Sequence, residues 1–132
     1  MNTQAGWKAL TGTTDFGVIA SRADQDGSSS PYRLAYDIFV DRILDFVGSY
    51  FVKLDGRVDA LVFSGGIGEH SVTLRKAVGD AVRCLGFAKV DVDKNSNTNG
   101  GETVVDISVR DGTEDRRILV CKTDEQASLL RP

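Results

Sequence analysis

The sequence predicts an α/β layered fold, and three observations carry that expectation. Apolar residues recur at helical spacing from Tyr32 to about Leu54; a short apolar run at residues 59–63 is bounded by turn signals; and two further strand-like runs, 104–109 and 118–121, follow a second helical stretch. At 132 residues the chain has the length of one ordinary domain or of a piece of a larger one. Its 41% hydrophobic content and net charge of -3 exclude a disordered chain. Lys and Arg are scattered among Asp and Glu, so no basic stripe is available to follow a phosphate backbone, and nucleic acid is not an expected partner.

The elements can be justified in order. The segment around Thr11, Gly12, Thr13, Thr14, Asp15, Phe16 and Gly17 mixes glycines with hydroxyl residues and reads as ordered turns. Ser30-Pro31 is a helix start, because serine can accept from the free first-turn amides and proline suits the first helical position. Ala35, Ile38, Phe39, Ile43, Phe46, Val47, Tyr50 and Leu54 then mark a helix with a wide buried face, and Leu34, Val40, Leu44 and Phe51 widen it so far that packing on both a sheet and another helix, or on a partner chain, is expected. Gly48, in the middle, is expected where something packs closely. Asp55-Gly56-Arg57 is a turn, and residues 59–63 form a buried parallel strand.

Ser64-Gly65-Gly66-Ile67-Gly68-Glu69-His70 follows as a glycine-rich loop. Ser71 is positioned to cap a helix carrying Leu74, Ala77, Val78, Ala81, Val82 and Leu85, and Gly86 is expected as its left-handed stop. Residues 94–101 read as an Asn-rich loop. Thr123 and Gln126 have the spacing of a capping box, which opens a last short helix.

Strand, Gly-Gly-Ile-Gly, helix is the strongest local signal, since glycines let the backbone approach a ligand and a helix start presents free N–H groups to an anion. The same glycines could serve only as a tight turn. No Gly-Lys-Ser/Thr follows, which excludes a P-loop. Gly66, Gly68 and Ser71 nearly reproduce a dinucleotide fingerprint, with Asp91 beyond the helix as the candidate ribose ligand, so an NAD-binding piece is the alternative reading.

Cys84 and Cys121 stand apart with no metal-ligand spacing, as expected for reduced thiols of a cytoplasmic protein. The first thirty residues carry charges and no apolar core of a signal peptide, and no segment is apolar enough for a membrane span. There is a single histidine, His70.

The run Asp59-Ala60-Leu61-Val62-Phe63-Ser64-Gly65-Gly66-Ile67-Gly68-Glu69 resembles the second phosphate-binding motif of acetate kinases. Leu10 to Phe16 resembles the family's adenosine-lining segment, and Leu34 to Phe39 with Arg42-Ile43 resembles its long preceding helix. Leu85-Gly86-Phe87 through Asn95 and Val120 to Glu125 resemble the following stretch and the terminal strand and turn. Several motifs in one order over nearly the whole chain identify it as similar to the C-terminal portion of that family.

The resemblance implies a partial actin-like ATPase (ribonuclease H-like) domain, a layered sheet with flanking helices, spanning residues 1–132 as an incomplete domain. It implies binding of ATP or ADP with Mg²⁺ in an enzyme that transfers the γ-phosphoryl group to acetate, giving acetyl phosphate, by positioning and charge neutralisation. By motif position Asp15, Phe16 and Gly17 would hold adenosine; Gly66, Ile67, Gly68, Glu69 and His70 would approach ribose and phosphates; Glu125 would be the magnesium-associated carboxylate. Gly17 replaces an arginine common in bacterial relatives, and His70 replaces an asparagine. No catalytic residue of the family is found in this stretch, so the missing N-terminal portion is an expected partner, and this chain alone is expected to form no acetyl phosphate. A homodimer is expected. A non-catalytic nucleotide-binding or regulatory module is the further alternative.

Overall fold

Ser30 fixes the start of the first helix. Its Oγ accepts from Tyr32 N–H at 3.0 Å, and its carbonyl takes Leu34 N–H at 3.0 Å. Pro31 then loses nothing by lacking an amide hydrogen in the first turn. The helix, α1, runs Pro31–Lys53. The computed structural model describes residues 22–23, 30–112 and 115–122, and the chain divides into two units, 1–50 and 51–132.

The expected wide buried face of α1 is not observed: among its described residues only Ala35 and Tyr36 are buried. Leu34, Ile38, Phe46 and Tyr50 lie on the surface, the last two stacked at 6.4 Å between ring centroids. Apolar residues lie on so many sides of this helix that one covering layer cannot reach them all. Gly48 meets no close neighbour either, since a Cβ built there has nothing within 4 Å. No described helix is long and apolar enough to cross a membrane.

In the second unit, Asp55 (φ 57°) and Gly56 (φ 71°) make the expected turn. It leads into β1, Ala60–Phe63. Then come two helices, α2 (Gly65–His70) and α3 (Val72–Ala81), a 3-10 turn (Val82–Leu85), α4 (Val92–Ser96), β2 (Val104–Asp106) and β3 (Arg117–Cys121). The sheet order is β1-β3-β2. β1 runs parallel to β3, with Ala60 opposite Arg117 and Phe63 opposite Val120. β2 runs antiparallel to β3, with Val104 opposite Cys121.

Ile118 and Val120 point to the buried face of the central strand, as period-2 alternation requires. The core there also holds Leu74, Val78, Val82, Phe87, Ala88, Val90 and Ile107. Gly79 on α3 sits against Val90 and Ile118: a Cβ there would overlap Val90 Cγ2 and come within 3.4 Å of Ile118 Cδ1. The lack of a side chain is what lets α3 lie this close to the sheet. Gly86, at φ 89°, stops the 3-10 turn as expected.

β2 and α4 also differ from expectation. The strand expected over 104–109 ends at Asp106, because Asp106 Oδ1 accepts from Ser108 N–H at 2.8 Å and bends the chain. Ser108 Oγ then stands in for a backbone partner, accepting from Ile118 N–H at 2.7 Å. Burial would raise the Asp106 carboxyl, but its hydrogen bonds from Ser108 and Arg117, with the Arg117 charge, outweigh burial and hold it below the usual carboxylate range. The stretch expected as an Asn-rich loop begins inside α4, whose last residues, Lys94 to Ser96, fall within it. Asp91 caps that helix, accepting from Asp93 and Lys94 N–H.

Arg116 ties the lower ends of these elements together. Its Nε donates to Val58 O at 2.9 Å, Nη1 to Leu85 O at 2.8 Å and Nη2 to Gly56 O at 3.0 Å. Its guanidinium also lies 4.9 Å from the centre of the Phe51 ring.

Candidate functional site

At the C-terminal end of β1, Ser64 is extended (φ -145°, ψ 169°) and the chain turns sharply into α2. Gly65 has φ 76°, a left-handed conformation that favours glycine. The sequence reading expects a loop from Ser64 to His70; the structure instead winds Gly65–His70 into a short helix. Ser71 closes it and opens the next. Its N–H donates to Ile67 O at 3.0 Å, its Oγ accepts from Leu74 N–H at 3.2 Å, and its carbonyl takes Arg75 N–H at 3.1 Å. The expected cap of the second helix is thus in place.

The other glycines of the segment do not share Gly65's backbone requirement. Gly66 is exposed, its φ is not positive, and a Cβ built on it would meet nothing among the described residues within 4 Å. A Cβ on Gly68 would meet Phe63 at 3.5 Å, an ordinary van der Waals contact. Glycine in a helix disfavours it by about 1 kcal/mol relative to alanine. Neither its dihedrals nor packing among the described residues therefore accounts for Gly66, and its open surface fits a group approaching from outside.

The structure brings Gly66, Ile67, Gly68, Glu69 and His70 together on α2, with His70 exposed at its end. Asp15, Phe16, Gly17 and Glu125 lie outside the described residues, as does the expected helix after Thr123. Among the described residues no group of three or more His, Cys, Asp or Glu side chains could hold a metal ion. The magnesium role of Glu125 therefore rests on its motif alone. Asp91, the ribose ligand of the dinucleotide alternative, is occupied in capping α4.

Beneath α2 lies a residue that sequence reasoning missed. Arg75 is fully buried. Its Nη1 donates to Gly68 O at 3.0 Å and to Glu69 O at 2.7 Å, both in the last turn of α2. Its Nε donates to Asn95 Oδ1 at 2.7 Å and its Nη2 to Asn95 O at 2.8 Å. Asn95 is itself held by Nδ2 donating to Val72 O at 3.1 Å. Burial lowers the Arg75 pKa from its ordinary value, yet a guanidinium starts so high that it stays protonated at neutral pH. Helical spacing held the signal: Arg75, Val78, Gly79 and Val82 recur at i, i+3, i+4 and i+7, and all four are buried.

Residues 1–131 match the model of the acetokinase family. The chain belongs to the acetokinase family. It is 53% identical over 127 residues to a probable acetate kinase of Emericella nidulans, covering 96% of this chain and 29% of the relative. The solved propionate kinase of Francisella tularensis superposes with a TM-score of 0.72 at 33% identity, covering 90% of this chain and 28% of that one. The acetate kinase of Entamoeba histolytica superposes at 0.80; with 21% identity it speaks to fold alone, over 94% of this chain and 32% of that one. These neighbours give this acetokinase-family chain the actin-like ATPase fold, a mixed α/β sheet with flanking helices, as the sequence predicts. The chain spans about 29% of the length of the Emericella relative. Membership in this family also removes the dinucleotide alternative.

Proposed function

We propose that the chain is the C-terminal, nucleotide-binding portion of an acetate kinase, which in its whole form transfers the γ-phosphoryl group of ATP to acetate. The observation that carries this reading is Gly66, a glycine in the first turn of α2 beyond a parallel strand, which nothing among the described residues requires. Gly66, Ile67 and Gly68 offer backbone to the nucleotide phosphates, and Glu69 and His70 approach the ribose. Asp15, Phe16 and Gly17 hold adenosine, and Glu125 holds Mg²⁺ near the phosphates. When bound, the metal would neutralise phosphate charge; the chain's own part is to fix the nucleotide and leave room for its phosphates. The acceptor pocket and the catalytic groups belong to the remaining length that the relatives possess. The whole enzyme is a cytoplasmic homodimer in this reading.

The chain by itself is expected to give no acetyl phosphate in a coupled assay, and turnover would contradict its assignment to the nucleotide side. Gly66→Ala separates a ligand-facing glycine from a structural one. Alanine should leave the unfolding free energy unchanged or raise it by up to about 1 kcal/mol, because a helical position loses its glycine. ADP affinity in the presence of Mg²⁺ should fall at least about tenfold, equivalent to 1.4 kcal/mol. A destabilised variant with unaltered affinity would assign Gly66 to the fold and remove the observation on which the reading stands.

A further inference from the structure

We propose that Arg75 is a positioning residue of the nucleotide-binding segment: its guanidinium, backed by Asn95, holds the Gly68 and Glu69 carbonyls and so sets the attitude of the backbone from Gly66 to His70. The inference rests on the proposed function for its ligand, while its structural half stands on geometry alone.

The last carbonyls of a helix have no partner within it. In α2, a helix of six residues, those of Gly68 and Glu69 are taken by a single nitrogen, Arg75 Nη1. The same guanidinium faces the other way to grip Asn95 at both its side chain and its carbonyl. Among the described residues every acceptor it uses is neutral, so this is a buried cation with no carboxylate across from it. An apolar side chain would fill such a space without the desolvation cost of a charge. What arginine adds is a rigid planar fork whose donors fix several acceptors in one geometry.

The chain path gives the fork its leverage. Ser71 ends α2 and begins α3, so without Arg75 the six residues are joined to α3 by one short connection. Arg75 adds a second attachment from inside the next turn of α3, and Asn95, tied in turn to Val72 O, steadies that guanidinium from α4. Gly68 lies two residues from Gly66, so displacement of its carbonyl changes the direction of the intervening peptides. Those peptides are the ones assigned to the phosphates.

The test uses the full chain with Arg75→Lys, and Asn95→Leu as a second variant that keeps the guanidinium. Amide hydrogen exchange should accelerate at least tenfold over residues 66–70 in Arg75→Lys, with protection in 118–121 preserved, and more weakly in the same places in Asn95→Leu. ADP affinity should fall at least tenfold and adenosine affinity by clearly less, because adenosine has only the ribose contacts of Glu69 and His70 to lose and none to the phosphates. Unchanged exchange over 66–70 would overturn the proposal, as would an equal rise in 118–121 or an equal loss of ADP and adenosine binding, since those mark a general loss of stability. Should Arg75→Lys fail to fold, the exchange pattern of Asn95→Leu decides alone. If the unaltered chain binds no ADP, the proposed function fails, and the exchange measurement still settles what Arg75 does to the segment.

Discussion

Arg116→Met is expected to lower the unfolding free energy by about 3 kcal/mol, seen as a clear drop in the urea midpoint at unchanged slope. The guanidinium donates to three carbonyls, Gly56, Val58 and Leu85, which belong to the turn before β1, the entry to β1 and the end of the 3-10 turn. Methionine fills much of the space and satisfies none of them. Hydrogen bonds to a charged group contribute about 1.5–3 kcal/mol each when buried. These are partly buried, so roughly half that range applies, and the cation–π contact with Phe51 adds about 0.5–1 kcal/mol. Arg117 supplies the internal control. Its bond to Asp106, 2.6 Å long, is at the surface, and Arg117→Met should cost under about 1 kcal/mol. Equal effects for the two neighbours would contradict the role given to Arg116.

Gly79→Val is expected to destabilise by about 3 kcal/mol, measured in the same way. The Cβ alone would overlap Val90 Cγ2, and the two further methyl groups would be driven toward Ile118, a fully buried residue of the central strand. Val90 is itself buried in the core and has little room to turn aside. Against this, leaving glycine raises helix propensity by a few tenths of a kcal/mol, since valine is itself a modest helix former. Overpacking therefore dominates. A neutral result would mean that α3 lies farther from the sheet than the structure places it.

These two residues also show where the sequence was legible and where it was not. Caps and stops with strong local chemistry read correctly: Ser30, Ser71 and Gly86 do what their types and neighbours require. The strand at Ala60–Phe63 and its parallel pairing follow from an apolar run between turn signals, but the burial expected of it does not: only Phe63 is buried and Val62 is exposed. Arg116 and Arg117, however, are adjacent and identical in type. One is built into the fold and the other faces water, a difference set by which carbonyls happen to converge from residues 56, 58 and 85. Asn95 was hidden likewise, because Asn-rich sequence reads as loop, whereas here Asp91 caps a helix that turns Asn95 inward. The α1 face failed for the opposite reason. Periodicity identifies apolar positions but not whether anything covers them.

At the candidate site the glycines were legible and their support was not. Gly66 and Gly68 stand out in the sequence as glycines between a strand and a helix, and the nucleotide proposed for them comes from the resemblance. Arg75 carries a charge, and charge suggests surface. Only its register with Val78, Gly79 and Val82 marks it as buried.

Calorimetric titration of the 132-residue chain with ADP in the presence of Mg²⁺, beside the Gly66→Ala variant, tests the central assignment most directly. Saturable binding at one site is expected, weakened at least about tenfold by the alanine while the variant is no less stable than the parent. Absence of binding, or equal binding by the two proteins, would contradict it.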